Sequence, residues 1–420
     1  MIAKIILGTM QNARKIVTIA EQIPYDVELC SGRYIVNAKS MLGVLSIPEF
    51  EDGELHVHTD DEIECSKILE KLLELGLLVD TSGSVCRSIY DITTFGEILI
   101  DFTCQGKNEE GQTVFAQNPG GAPANVAVSA SKLGAHTAFL GKAGNDMHGE
   151  FLRDVLQVQN VETGGVLLDE HYFTTLAFVD ILESGERVFS FARKPGADTQ
   201  IQKEEINIDI LDNTHIFHVG SLSLTGQPAR DTTFYAINRA RSKGSIISYD
   251  PNYRASLWKD EETAIEQMRS LIPYVDVMKI SDEETALLTD YKAPEDAAKA
   301  LFNQGVKIVA VTLGADGAYI YNKEGGRQVA GFKSHVVDTN GAGDSFWGGF
   351  LYQINQAGKR PEDLSLNELE DFARFGNAVA SLCVEKKGAI PAMPALDEVE
   401  KRLNDVSDKT NNLTCTMGSI

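Results

Sequence analysis

The sequence predicts an α/β fold, a doubly wound and mainly parallel sheet carrying a small β lid, preceded by a small α+β open-faced sandwich. Three observations predict it. From about residue 91 onward, short apolar runs ending in Gly, Asp, Ser or Asn alternate with helical patterns, as buried parallel strands crossed over by helices do. Two stretches there, 103–117 and 173–193, instead alternate apolar and polar residues with period two, the pattern of an antiparallel sheet with one solvated face. Residues 1–80 follow a different grammar, and a chain of 420 residues exceeds the usual size of one compact domain.

The first unit opens on a short apolar run, Ile5, Ile6 and Leu7, followed by a helix over Ala13–Gln22 with Ile16, Val17, Ile19 and Ala20 on one side. VELCSGRYIV, turning at Ser31-Gly32, and ELHVHTD read as antiparallel strands. Between them NAKSMLGVLSI predicts a short helix capped near Asn37, and Ile63–Leu77 an amphipathic closing helix. This unit carries 7 basic and 14 acidic residues, a balance of −7. Residues 81–90, small and polar at their start, read as a linker.

The second unit, 91–404, contributes the strand-like runs DITTFGEILIDF, AFLGKAG, IFHVGSL, SIISYDPN, VDVMKIS and KIVAVTLG. Helices are expected over Pro123–Leu133, Thr232–Lys243, Glu261–Ile272 and Glu295–Gln304. The two alternating stretches, the second with a Glu183-Ser184-Gly185 turn, would form a lid over the strand ends. Residues 405–420 read as a frayed tail.

Hydrophobic residues at 43% and charged residues at 24% argue against collagen-like or disordered readings. The charge is unusual: 38 Lys plus Arg against 61 Asp plus Glu give −23. Such a surface repels phosphate backbones and anionic leaflets, so neither nucleic acid nor membrane is expected as a partner. A small anionic ligand is not excluded, because backbone dipoles and a bound cation act locally. The six cysteines form no CxxC pair and read as reduced thiols. With no secretory pattern and no run of 18 apolar residues, a cytoplasmic location is expected.

The most informative stretch is DTNGAGDSFWGGFLYQI, Asp338 to Ile354. Phe346, Trp347, Phe350, Leu351 and Ile354 recur at helical spacing, and the glycines precede that helix. A turn over Gly341, Ala342 and Gly343 can present backbone N–H groups to phosphate oxygens without any Lys or Arg. Asp344 then stands where a carboxylate can take a hydroxyl proton as the oxygen attacks phosphorus. The sequence has no GxxxxGK[ST] and no GxGxxG after the first strand.

Asp338 to Asp344 resembles the C-terminal signature DTxGAGD of the ribokinase-like (pfkB) sugar kinases, and NPGGAPANVAVSASKLGAHTAFLGKAGNDMHG from Asn118 resembles their N-terminal signature. The similarity runs from about Asp91 to Leu403. Within the family, FGEILIDF, FSFARKPGAD, DPNYRASLW and SDEE look most like bacterial fructokinases. The resemblance implies an ATP- and Mg²⁺-dependent kinase making fructose 6-phosphate from fructose. Kinases of 2-keto-3-deoxygluconate, ribose or a nucleoside are alternatives, as is a sensor that binds sugar or nucleotide without turnover. It places Asp101, at the end of the first strand, on sugar hydroxyls, with Gly120, Gly121 and Asn125 in the GGxxxN element. Arg193, Arg254 and Asn252 are implied near sugar or transferred phosphate, the two arginines equally readable as surface ion pairs. Thr312, Gly314 and Gly317 resemble the nucleotide loop, and Asn377 a residue of the adenine pocket. Glu284 matches the Glu of the NxxE motif that holds the magnesium hydration shell, although Ser281 stands where the motif has Asn. Asp338 and Thr339 would border a monovalent-cation loop, with K⁺ as the ion.

NAKSMLGVLSI, from Asn37, resembles the regulatory-serine segment of the phosphocarrier protein HPr, with Ser40 at the serine that a dedicated kinase phosphorylates. Where that family reads His-x-Arg-Pro, this chain reads Asn12-Ala13-Arg14-Lys15, and an Asn amide forms no phosphoramidate. His56 and His58 read as solvated or satisfied residues. The resemblance implies a degenerate HPr-like unit, either regulatory, through Ser40 phosphorylation or a phosphotransferase-system partner, or a structural, dimerising appendage. The lid's edge strands either pair in a homodimer or stay exposed.

Overall fold

The computed structural model describes residues 2–5, 10–31, 34–46, 53–59, 65, 67–69, 71–72, 77, 89–181 and 187–405. It divides into two compact units, Met1–Ile89 and Tyr90–Ile420. The Gly32 and Glu183-Ser184-Gly185 turns, most of the linker, the tail beyond residue 405 and much of the expected helix over 63–77 lie outside the described residues.

In the first unit β1 (Ile2–Ile5), β2 (Val27–Ser31), β3 (Tyr34–Asn37) and β4 (Gly53–Val57) form one antiparallel sheet in the order β1-β4-β2-β3. The apolar side of α1 (Met10–Gln22), with Ile16 and Ala20 fully buried, shares a core with Ile5, Leu29 and Leu55. The short helix α2 (Met41–Leu45) is capped by Ser40, whose Oγ accepts from the Gly43 amide at 3.2 Å. The cap is therefore not Asn37. That side chain accepts from the Lys39 amide at 2.9 Å in the preceding turn, which delays the helix by one turn. His56 and His58 contact Glu54 and Glu28 at 2.9 and 3.1 Å.

The second unit is built on a nine-stranded sheet. Its parallel body comprises β5 (Tyr90–Phe95), β8 (Thr137–Gly144), β9 (Val161–Asp169), β12 (Thr214–Val219), β13 (Ile246–Tyr249), β14 (Val277–Ser281) and β15 (Ile308–Thr312). An antiparallel hairpin, β16 (Ala318–Asn322) and β17 (Gly325–Val329), completes the order β17-β16-β15-β14-β13-β12-β5-β8-β9. Strand order reverses beside β5 and β12, where an open α/β sheet forms its ligand crevice outside the strands' C-terminal ends. Chain segments just past those ends carry Asn252, Arg254, Glu284, Gly314 and Gly317.

Helices cover both faces. Of those that matter to the site, α3 (Ala122–Lys132) follows the lid strands, α4 (Met147–Val158) is capped by Asp146, and α10 (Ala342–Ala357) packs between α3 and α11 (Leu366–Cys383). The close approach requires small residues: a Cβ on Gly348 would meet Ser129 of α3, and one on Gly349 would meet Val379 of α11 at 2.9 Å. Trp347, fully buried, stacks on Phe350 and donates Nε1–H to Ser248 Oγ of β13 at 2.9 Å. These contacts hold the start of α10 against the sheet.

A second, four-stranded sheet makes the lid: β6 (Leu99–Lys107), β7 (Thr113–Gly120), β10 (Leu176–Ile181) and β11 (Arg187–Ala192), ordered β11-β10-β6-β7. Here the sequence reading needs correction. DITTFGEILIDF is not one strand: β5 stops at Phe95, Gly96 turns the chain with φ +153°, and β6 begins at Leu99 in the other sheet. Pro123 packs against Gly96, where a Cβ would come within 2.7 Å of its ring, so only glycine fits the turn. Asp101 consequently lies on a lid strand, not at the end of a main-sheet strand. Among the described residues no helix is long and apolar enough to cross a membrane.

Candidate active site

The helix α10 starts from Gly341, which adopts the left-handed region at φ +75° and packs against Ala389. Helix geometry leaves the first-turn amides without intrahelical acceptors. Of the three turn residues, Ala342 turns its amide to the Thr339 carbonyl at 3.3 Å. Asp344, two residues into the helix, is 7% exposed. Its Oδ2 accepts from Asn125 Nδ2 at 2.8 Å and its Oδ1 from Asn252 Nδ2 at 3.0 Å. Amide donors on both oxygens suit the ionised form and leave each oxygen a lone pair for an incoming hydroxyl. Burial and the neighbouring Asp250 push the Asp344 carboxyl above its ordinary range, while Asn125, Lys279 and Arg254 act against the rise.

Each donor is placed by a backbone device. Asn125 lies in the first turn of α3, four residues after Gly121. Asn252 follows Asp250-Pro251 with φ +47°, a conformation a non-glycine residue keeps only where its surroundings impose it. Asp101 comes from the lid side, and Gly120 packs against its carboxylate so closely that a Cβ would collide with it. Burial pushes the Asp101 carboxyl up to about 6; Asn340 and Arg254 oppose that, and Asp344 and Asp338 add to it. Arg254 is exposed, donates to the Tyr253 carbonyl at 3.0 Å, and faces both carboxylates electrostatically.

Beneath the turn lies a pair that sequence reasoning missed. Lys279 Nζ contacts Asp250 Oδ2 at 2.6 Å, both side chains buried, and a Cβ on Gly343 would stand 3.3 Å from that ammonium. Burial would lower the Lys279 pKa, but Asp250, Glu284 and Asp344 raise it further, and the net shift is upward. The signal was present in the sequence: a lysine inside the otherwise apolar run VDVMKIS has to find a buried anion.

The remaining candidates fall into separate groups. Glu284, 6% exposed, accepts from the Tyr253 amide at 2.7 Å, the Ser281 amide at 2.8 Å and Ser281 Oγ at 3.0 Å. The serine hydroxyl thus orients this carboxylate. Thr312 ends β15, and Gly314 and Gly317 shape the next turn with φ +56° and +93°. Gly317 packs against the 329–331 backbone, and Asn377 Nδ2 donates to the carbonyls of Val329 and Ala330 at 3.1 and 3.2 Å. Asn377 therefore anchors the strand end that borders the glycine turn. Asp338 receives the amides of Asn340 and Gly388 at 2.9 and 3.0 Å, and Thr339 contributes its carbonyl to Ala342. Arg193 stands apart from the Asp344 cluster. Its guanidinium is buried and clamps Asp198 through Nε and Nη2 at 2.8 and 2.6 Å, with Thr225 and the Leu222 carbonyl completing its bonds.

A buried carboxylate held by two amides thus stands at a glycine turn that opens a helix beside the ligand crevice of a doubly wound sheet. Residues 90–396 match the pfkB family carbohydrate kinase model. The chain belongs to that family and is a carbohydrate kinase. It is 39% identical to a probable fructokinase-5 of Arabidopsis thaliana over 319 residues, covering 75% of this chain and 98% of that protein. Among solved structures it resembles fructokinase with bound ATP from Xylella fastidiosa, with TM-score 0.69 and 35% identity over 76% of this chain and 99% of that one. It also resembles a fructokinase double mutant from Vibrio cholerae O395 in fructose, ADP and potassium ion bound form, with TM-score 0.68 and 31% identity over 76% and 99% of the two chains.

Proposed function

We propose that the chain phosphorylates fructose from ATP, with Asp344 as the base, and that its first unit is a degenerate HPr-like regulatory element. The observation that carries the kinase reading is the Asn125–Asp344–Asn252 arrangement at the Gly341–Gly343 turn. Asp344, ionised and held from both sides, takes the proton of the sugar's primary hydroxyl as its oxygen attacks the γ-phosphorus in line. The Gly341 and Gly343 amides bear on the charge that gathers on the transferred group, the Ala342 amide being turned to Thr339. Asp101, on the lid strand β6, binds sugar hydroxyls, and the lid excludes water, the competing acceptor. Asp101, Gly120, Gly121, Asn125, Asn252 and Arg254 line the sugar end; Thr312, Gly314, Gly317 and Asn377 shape the nucleotide end. Arg193 reaches substrate only if it leaves Asp198, so its supported role is to stiffen the segment after β11.

Among the described residues no group of three or more His, Cys, Asp or Glu could chelate a metal. A hydrated ion carried on the phosphates, with Glu284 facing its water shell, fits this donor set. Magnesium supplies charge neutralisation across the phosphates when bound. K⁺, an ion present in the Vibrio cholerae structure, would be held at the loop of Asp338 and Thr339. In the first unit, Ser40 is exposed at the N-cap of α2, where an added phosphate would meet helix amides. A homodimer would use the edge strand β7, which carries exposed Val114 and Phe115.

The test is turnover of full-length protein with Mg-ATP against fructose, ribose, 2-keto-3-deoxygluconate and nucleosides. Fructose should have the highest kcat/KM. A tenfold preference for another acceptor overturns the assignment, and sugar binding without ATP consumption would make the protein a sensor.

A further inference from the structure

The chain crosses from the large sheet to the lid through Gly96, Glu97 and Ile98, between β5 and β6. Glu97 sits in that hinge, outside the Asp344 cluster, and it is 2% exposed. Its Oε1 accepts from the backbone N–H of Ala122 at 3.0 Å, the first residue of α3. That helix start has no cap of its own, because the N-cap position is Gly121 and offers no side chain. Gly121, at φ +111°, packs directly on the Glu97 carbonyl, so backbone and side chain of the hinge grip the same turn. One turn further along α3, Asn125 makes the 2.8 Å bond to Asp344. The second carboxylate oxygen, Oε2, is buried without a hydrogen-bond partner and lies 4.0 Å from the Cβ position of Gly220, just past the end of β12. A half-satisfied buried carboxylate is a costly feature, and such departures from packing rules concentrate at working sites.

We propose that Glu97 is a positioning residue that ties the lid hinge to the base: its carboxylate caps α3 from outside the helix and thereby fixes the Asn125 amide on Asp344. The inference rests on the reading of Asp344 as the base. An apolar residue at position 97 would leave the part-buried Ala122 amide without this acceptor, and the first turn of α3 would lose its anchor to the hinge. Burial pushes the Glu97 carboxyl up to about 7; backbone amides and Arg193 oppose the rise, and Asp198 adds to it. The charged groups facing it are thus Arg193 and Asp198, both from the segment after β11, while α3 presents the Ala122 amide. Below that pH the carboxyl is protonated, the charge-assisted bond to Ala122 becomes a weaker neutral one, and the hold on Asn125 loosens.

The experiment compares Glu97→Ala and Glu97→Gln in the full chain, with kcat and KM followed from pH 6 to 9. Glu97→Ala should lower kcat about tenfold at pH 8, with the KM for ATP nearly unchanged. Glu97→Gln keeps a neutral oxygen for the Ala122 amide, so across the range it should behave as the wild type does below pH 7, recovering part of that loss and abolishing the inflection near pH 7. If Glu97→Ala does not fold, the Gln variant alone decides through its pH profile. Wild-type kinetics in the Ala variant, or an unchanged inflection in the Gln variant, would overturn the proposal. An inactive Asp344→Asn beside an unimpaired Glu97→Ala removes this inference alone, whereas an active Asp344→Asn removes the base assignment itself.

Discussion

Asn125 and Asp344, 219 residues apart in the chain, meet in a 2.8 Å hydrogen bond at the start of two packed helices. The bond holds one carboxylate oxygen and helps keep a buried acid ionised, against burial and against Asp250. Asp344→Asn should fold and lose turnover by roughly 10²–10⁴-fold, the range of general-base contributions. Asn125→Ala should retain some activity but shift its pH dependence. The Asp344 pKa is already raised, so activity is present above it and lost as pH falls through it. Removing a donor that lowers this pKa raises it further, and the acid limb of kcat/KM should move to higher pH. An acid limb at the wild-type position in Asn125→Ala would contradict this account.

Gly120 and Asp101 give a separate test of the sugar end. Gly120 does not have a left-handed φ, so alanine strains no backbone there; its methyl group instead collides with the Asp101 carboxylate. Gly120→Ala should raise the sugar KM about tenfold or more, which corresponds to about 1.4 kcal/mol of lost binding, while the KM for ATP stays close to wild type. Equal increases in both constants would mean that the substitution disturbs the fold instead of the sugar contact.

Asp250 and Lys279 are buried together beneath the turn. Removing one partner leaves an unpaired buried charge, whereas removing both leaves none. Lys279→Met should therefore destabilise the protein by about 3–5 kcal/mol in chemical denaturation, and the double variant Asp250→Asn/Lys279→Met by much less. The pH optimum separates structure from tuning. Asp250 raises the Asp344 pKa and Lys279 lowers it, so the single lysine variant should move the acid limb up and the double variant should bring it back. Additive stability losses in the double variant would show that the pair is not a coupled unit.

What the sequence made legible follows from how locally each feature is encoded. The helix at Asp338–Ile354 was readable because its apolar spacing and its preceding glycines lie in one continuous segment, and α10 spans Ala342–Ala357. The parallel strands were readable because burial on both faces makes them uninterrupted apolar runs. The break at Gly96 was not, since FGEILIDF stays apolar across it and only the approach of Pro123, from a later segment, requires a turn there. Contacts made across the fold were equally hidden. Arg193 reads from the sequence as a basic group near substrate or transferred phosphate, but Asp198, Thr225 and the Leu222 carbonyl occupy its donors. The cap of α2 at Ser40 depended on whether Asn37 spent its side chain on Lys39, which spacing alone does not decide.

Ser281 and Glu284 carry the last prediction, on metal dependence. The family motif resembled here has Asn at position 281, yet the serine does a defined job: its amide and hydroxyl both donate to Glu284 Oε2, at 2.8 and 3.0 Å. The Tyr253 amide fixes the other oxygen at 2.7 Å. A carboxylate so oriented can face the water shell of a magnesium ion without touching the ion. Ser281→Ala removes one of three donors and should raise the Mg²⁺ concentration for half-maximal activity a few-fold, with the sugar KM unchanged. Glu284→Gln removes the charge that attracts the hydrated cation, and the increase should reach roughly 10–100-fold, the range found when groups behind a metal's direct ligands are altered. Excess Mg²⁺ should restore much of the activity of both variants, because the defect is in recruiting the ion and Asp344 is untouched. Loss of kcat that saturating Mg²⁺ does not relieve would place Glu284 in the framework of the site and leave the ion to the phosphates alone.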